Sequence, residues 1–133
     1  MILEKEQYEL IYRASYFSIF TLLYAFYRRH WVNAALQLCV TTTSINYWRK
    51  PDYSWRRYID MAAVKSALLY QLCYSYNADY ARVYYILTGI GVLCYPIGIY
   101  YYKRGDHWKS TYAHLVLHAF ANICNIVLYS GKI

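Results

Sequence analysis

The stretch that decides the fold is His107–Tyr129, HWKSTYAHLVLHAFANICNIVLY, which is apolar over most of its length and carries three histidines. The range 110–131 contains no Asp, Glu, Lys or Arg, and it is long enough to cross a bilayer as a helix. His114 and His118 are four residues apart and therefore share one face of that helix. Because an imidazole in hydrocarbon is costly unless it is paired or used, this face predicts a protein contact or a functional site.

Similar charge-free ranges recur along the chain at 31–48 and 83–102, and shorter ones lie at 14–27 and 66–78. Open loops would leave backbone groups unpaired in lipid, so helices are expected throughout. The sequence predicts an all-α fold, a polytopic transmembrane helix bundle of about five spans that forms a single domain over residues 1–133. The predicted spans are 10–27, 31–48, 58–76, 81–102 and 108–129.

The composition favours a membrane protein over a soluble one. Hydrophobic residues make up 59% of the chain and charged residues 16%, which is a poor balance for a water-facing surface. The chain is tyrosine-rich, with 20 tyrosines that cluster with tryptophan mainly at the ends of the apolar ranges. That placement is typical of aromatic belts at the headgroup level, although packing in a core is an alternative.

The basic residues predict an orientation in the membrane. Nine of them fall on the side of the N-terminus and four on the other side, which places the N-terminus in the cytoplasm or its topological equivalent. Five spans would put the C-terminus opposite. The net charge of +7 does not indicate nucleic acid as a partner, because the cations lie in short connections between apolar ranges. No cleavable signal is expected, since the first residues are acidic.

The longest connection is 49–57, RKPDYSWRR, which contains a proline and four cations. At the cytoplasmic surface these cations are expected to attract anionic lipid headgroups. An equally open interpretation is that they only set the topology. The four residues are Arg49, Lys50, Arg56 and Arg57.

Two helices carry a stripe of polar side chains that falls within about 80° at 100° per residue. Such stripes should face protein, and the simplest arrangement sets the two helices side by side. On the third predicted span Lys65 lies away from the polar face, where it can snorkel to the near side. The second span contributes Asn33, Gln37, Thr41, Ser44 and Trp48, and the fifth contributes His107, Thr111, His114, His118, Asn122 and Asn125.

Because of the directions of the helices, Ser44, Asp60 and His114 are expected at a similar depth below the near side of the membrane. Ser44 lies roughly 6 Å from its helix end and His114 roughly 9 Å from its own, and Asp60 begins the third span. His118 lies deeper. A serine, an aspartate and two histidines can therefore converge in a pocket that faces the cytoplasm.

At these residues the chain resembles the CREST superfamily of membrane hydrolases and receptors, which includes the alkaline ceramidases and the adiponectin and progestin receptors. The family pattern has a Ser and a following His near one helix end, an Asp that begins the next helix, and HxxxH in the last. TSINYW supplies Ser44, RRYIDMA supplies Asp60, and HLVLHAF supplies His114 and His118. The family has seven spans, and Trp48 occupies the place of its first metal-binding His.

The resemblance implies a reduced CREST scaffold that acts as a metal-dependent hydrolase of lipid amides or esters. Its zinc would be held by His114, His118 and Asp60, with Asp52 as the alternative third ligand, and zinc-activated water would attack the substrate. Ser44 and Asp60 would be the catalytic residues that position water or stabilise developing charge. Whether the chain is an enzyme stays open at this point.

Two other functions are compatible with the same residues. The chain could be a noncatalytic small subunit or structural component of a larger membrane assembly, in which the histidines donate hydrogen bonds that fix the bundle. It could also be an oligomeric transporter or channel element, since five short helices enclose little pore alone. The first alternative implies partner subunits in the membrane, and the second implies a homo-oligomer. The four cysteines lack CxxC spacing and are expected to be packing residues.

Overall fold

The computed structural model describes residues 2–133, and this part of the chain is all-helical, with no β-strand. The predicted fold class is therefore confirmed at the level of secondary structure. Helix boundaries lie within a few residues of the predicted ones, except in the first span. The helices are α1 (Lys5–Ser15), α2 (Ser18–Tyr27), α3 (Trp31–Trp48), α4 (Trp55–Tyr74), α5 (Ala81–Lys103) and α6 (His107–Tyr129).

The long helices run antiparallel, so that the bundle has two ends. At the near end, the Tyr102 hydroxyl donates a hydrogen bond to the carbonyl of Ile2 at 3.1 Å. At the far end, the Arg28 Nε donates to the carbonyl of Tyr129 at 3.0 Å. Ile2 thus lies beside the end of α5, and the end of α2 lies beside the end of α6.

The predicted first span, 10–27, is wrong as a single helix, because the structure divides it into α1 and α2 at Tyr16 and Phe17. Hydroxyls flank the break. Ser15 Oγ donates to the carbonyl of Ile11 at 2.9 Å, and Ser18 Oγ donates to the carbonyl of Ser15 at 2.7 Å. Tyr16 and Phe17 keep helical backbone angles, so the hydroxyls interrupt the regular hydrogen bonding of the helix where i→i+3 bonds replace i→i+4 bonds.

Among residues 2–133, α5 and α6 are the helices whose length and hydropathy suit a membrane span. Only 28% and 17% of their most apolar windows are buried, whereas the core helix of a soluble protein would be mostly covered. The structure thus supports two candidate spans and does not establish the predicted five. The other helices are shorter or carry more polar and charged residues.

Polar side chains are common in the interior, beside apolar ones such as Ile11 and Leu128. The interior contains many hydroxyl and amide side chains, among them Thr21, Gln37 and Gln71, each less than 9% exposed. Large apolar side chains stand outside, and Phe20 of α2 and Leu93 of α5 are 66% and 62% exposed. An apolar exterior around a polar interior is what a helix bundle surrounded by lipid requires.

Close packing of α5 on α6 depends on Gly91. A Cβ atom added at Gly91 would lie 3.2 Å from the Cβ of Phe120, closer than ordinary van der Waals contact. Gly89, half a turn away, has open space in the corresponding direction. Small residues that let helix backbones approach are common in membrane helix contacts.

We expect Gly91→Leu to lower the free energy of unfolding by about 1–3 kcal/mol, because its side chain would wedge α5 from α6. Gly89→Leu is the matched control and should be neutral or slightly stabilising, since glycine is a poor helix former. Reversible unfolding in mixed lipid and SDS micelles measures both. Equal stability of the two variants would contradict the proposed packing.

Candidate functional site

The polar stripe of α3 faces the interior, as predicted. All five of its members, Asn33, Gln37, Thr41, Ser44 and Trp48, are between 4% and 8% exposed. Thr41 Oγ1 accepts a hydrogen bond from Ser18 Oγ at 3.0 Å, which links α3 to α2. Gln37 Oε1 accepts one from Asn125 Nδ2 of α6 at 3.3 Å.

The polar stripe of α6 reaches α2 and α3. Asn122 Oδ1 accepts a hydrogen bond from Thr21 Oγ1 of α2 at 2.8 Å, and Thr111 is fully buried. His107, at the start of the helix, stacks on Tyr102 with ring centroids 4.5 Å apart. One hydrogen bond, from Asn125 to Gln37, and the ring contact of Trp48 with His114 join the two stripes. The predicted side-by-side packing of the two helices is wrong, because α1 and α2 pack on both α3 and α6 and keep those two helices apart.

Two histidine rings of α6 contact each other, and one of them contacts a tryptophan ring. The rings of His114 and His118 lie 4.9 Å apart between centroids, and the Trp48 indole lies 4.8 Å from the His114 ring. Within residues 2–133 neither imidazole makes a hydrogen bond. His114 thus contacts an indole at the place where the resemblance would require a third metal ligand.

Ser44 and Asp60 are both 8% exposed, but they do not contact each other through a hydrogen bond. Asp60 Oδ1 instead accepts one from the hydroxyl of Thr43 at 3.2 Å. The neighbouring residue along α3 therefore holds the carboxylate that was predicted to act with Ser44. Ser44 itself makes no hydrogen bond with any described side chain.

The side chains present do not fit a catalytic zinc ion. Zinc in hydrolytic sites normally has three protein ligands, and in residues 2–133 no three His, Cys, Asp or Glu side chains lie close enough to hold a metal. His114 and His118 could supply two nitrogens, but Asp60 does not complete the set with them.

A groove that the sequence did not predict opens beside the histidines. It has a volume of about 310 Å³ and lies between α6 and the break that separates α1 from α2. Ala14, Phe17 and Leu115 form apolar walls, and His118 and Asn122 supply the polar atoms. The sequence held one sign of this groove, namely Ser15 and Ser18 on either side of Tyr16 and Phe17. Serine hydroxyls can bond helix carbonyls and so interrupt a helix.

The basic connection between α3 and α4 is partly used inside the protein. Arg56 is buried and donates to the carbonyls of Asn46 and Lys50 at 2.8 and 2.7 Å and to Asp52 at 3.0 Å. The pKa of Asp52 lies below its usual value. Hydrogen bonds from the side chain and backbone N–H of Ser54 are the main cause, and the positive charge of Arg56 adds to it. Arg56 thus holds the connection between α3 and α4 together through hydrogen bonds within the protein. Arg49 and Lys50 are exposed.

A network at the far end joins three helices. Gln71 of α4 donates from Nε2 to the Tyr129 hydroxyl of α6 at 2.6 Å. The Tyr84 hydroxyl of α5 donates to Gln71 Oε1 at 3.0 Å. Both tyrosines are fully buried, so a single amide satisfies two hydroxyls that have no access to water.

Comparison with known proteins finds no matching family model, curated protein or solved structure. The resemblance to the CREST superfamily stays a prediction that rests on four residues.

We expect Gln71→Met to lower the free energy of unfolding by about 1–3 kcal/mol, because it leaves the hydroxyls of Tyr84 and Tyr129 without partners. The triple variant with Tyr84→Phe and Tyr129→Phe should recover part of that loss, since no buried polar atom then lacks a partner. Unfolding in mixed micelles measures this cycle. A triple variant less stable than Gln71→Met would show that the network is not what holds these helices.

Proposed function

We propose that this chain is a noncatalytic small subunit of a larger membrane protein assembly, and that it crosses the bilayer five times. The observation that carries the proposal is the ring contact of Trp48 with His114, which in turn contacts His118, because it uses the imidazoles in packing where a hydrolase would need ligands. The interior polar pairs and the apolar exterior support it further.

Five crossings agree with helix length. At 1.5 Å per residue α3 is about 27 Å long and α4 about 30 Å, close to the thickness of a hydrocarbon core. Asn33, Gln37, Thr41 and Ser44 of α3 are directed inward and would not meet lipid. The exposed Thr42 hydroxyl donates to the carbonyl of Leu38 in its own helix. α1 and α2 together would form the first crossing, with the break at Tyr16 and Phe17 inside the membrane.

A structural role agrees with how the polar side chains are used. Ser18 with Thr41, Thr21 with Asn122, and Gln71 with two tyrosines each join different helices. In lipid such pairs hold helices together, because apolar packing alone distinguishes poorly between protein and acyl chains. These contacts build a rigid bundle whose outer surface is available to other membrane chains.

The proposal predicts that detergent-purified protein contains less than about 0.1 equivalent of zinc, and that His114→Ala and His118→Ala do not change this content. Elemental analysis after dialysis against a zinc buffer measures it. As a positive control, a known zinc enzyme should retain its metal through the same procedure. One equivalent of zinc that both variants lose would contradict a noncatalytic role.

A lipid hydrolase is the second candidate function, and the burial of Asp60 favours it. This carboxylate lies inside the bundle with a single hydrogen bond, from Thr43, and no cation beside it among the described residues. Buried ionisable residues in membrane proteins are costly and commonly serve function.

If the chain is a hydrolase, protein in lipid vesicles should release fatty acid from a ceramide, and Asp60→Asn should lower that rate at least about 100-fold. Thr42→Val is the control, since Thr42 is exposed and bonds only its own helix. Under the noncatalytic proposal, the rate with either protein equals that of empty vesicles.

A further inference from the structure

A lysine of α4 lies halfway along the helix. Lys65 is about 15 Å from Trp55, the first residue of α4, and about 14 Å from Tyr74, the last. Two contacts bracket this depth: Asp60 bonds Thr43 toward the near end, and Gln71 bonds Tyr84 and Tyr129 toward the far end. Lys65 is thus about 7 Å from the first contact level and about 9 Å from the second.

The ammonium group of Lys65 has no partner among residues 2–133. Its side chain is exposed, and it makes no hydrogen bond, ion pair or ring contact there. A lysine side chain reaches about 6 Å, which is less than half of the distance to either helix end. The snorkelling predicted for Lys65 toward the near side therefore falls short, and it leaves the charge below the headgroups if this helix crosses the membrane.

The surroundings of Lys65 suit contact with another helix. Ala62 and Ser66 are small exposed residues on either side of it, and Leu69 is 65% exposed one turn further along. Small residues let a second helix approach closely. We call Ala62, Lys65, Ser66 and Leu69 the outer face of α4.

We propose that the outer face of α4 docks a transmembrane helix of another protein, one that carries an Asp or Glu at the middle of the bilayer and pairs with Lys65. This inference rests on the proposed function, since it requires α4 to cross the membrane. Ionisable residues within membrane helices pair with one another or face water. In this bundle Lys65 does neither, so charge complementarity assigns the missing carboxylate to a partner.

A second copy of this chain does not supply that carboxylate. The chain has seven acidic residues, and three of them, Glu4, Glu6 and Glu9, lie within its first ten positions. Asp60 is buried against Thr43. The other three, Asp52, Asp79 and Asp106, lie in the connections between helices. The partner is therefore a different chain.

The test uses the full chain in phosphatidylcholine vesicles with a labelled probe peptide. The probe is a transmembrane helix of about 20 Leu and Ala residues with one central Glu, and its matched control has Gln at the same place. Energy transfer from the labelled protein measures binding. We expect the Glu peptide to bind at least about fivefold more tightly than the Gln peptide.

Variants of Lys65 assign the effect to its charge. Lys65→Leu should abolish the preference for the Glu peptide, and Lys65→Glu should transfer it to a peptide with a central Lys. Lys5→Leu, at an exposed position near the start of α1, is the control that keeps the preference. Equal binding of the Glu and Gln peptides to the unaltered chain would overturn the inference.

Two further outcomes also count against it. If phosphatidylglycerol added to the vesicles removes the preference, Lys65 pairs with lipid headgroups. If differently labelled copies of the chain associate through Lys65 without any peptide, the partner is a second copy. Either result would replace the proposed docking helix.

Failure of the docking inference can be separated from failure of the five-crossing proposal. In a variant whose four native cysteines are alanine, Lys65→Cys should resist a membrane-impermeant maleimide, whereas Lys50→Cys in the exposed loop should react. Rapid reaction at position 65 would place α4 in water and overturn both proposals. Protection at position 65 with equal peptide binding would overturn docking alone.

Discussion

The structure depends on one constraint: polar side chains that face away from solvent must find partners on other helices. Thr21 with Asn122, Gln37 with Asn125, and Gln71 with Tyr84 and Tyr129 meet this requirement across the bundle. With so many apolar side chains left outside, these pairs set which helix faces meet and at what level. Gly91 then lets α5 and α6 approach within the distance that this arrangement requires.

The same constraint explains the state of the candidate site. Imidazoles at positions 114 and 118 could hold a metal, and a carboxylate at position 60 lies buried in the same bundle. Instead, an indole covers His114 and a threonine hydroxyl binds Asp60. Each group is occupied by a packing or hydrogen-bonding contact, and the described side chains do not assemble three metal ligands. This use of the polar groups is the support for the proposed structural subunit.

Lys65 stands apart from this pattern because its charge points outward at the middle of a helix. The interior network includes side chains on both sides of it along α4, so the helix has little freedom to rotate Lys65 inward. Although many interior polar side chains bond across helices, the bundle leaves the Lys65 ammonium at mid-helix without a partner among residues 2–133 and is incomplete at this position. The proposed acidic helix would complete it, and it links the fold to a function in assembly.

Periodicity alone predicted that the chain is helical, where most helices begin and end, and that the α3 stripe is buried, because 100° per residue defines a face without any knowledge of neighbours. It could not predict the break at Tyr16 and Phe17, which depends on serine hydroxyls that compete for carbonyls in a particular rotamer. Nor could it decide that Thr43, rather than Ser44, binds Asp60. One residue along a helix is a rotation of 100°, and only the packing of α4 against α3 selects which of the two hydroxyls meets the carboxylate.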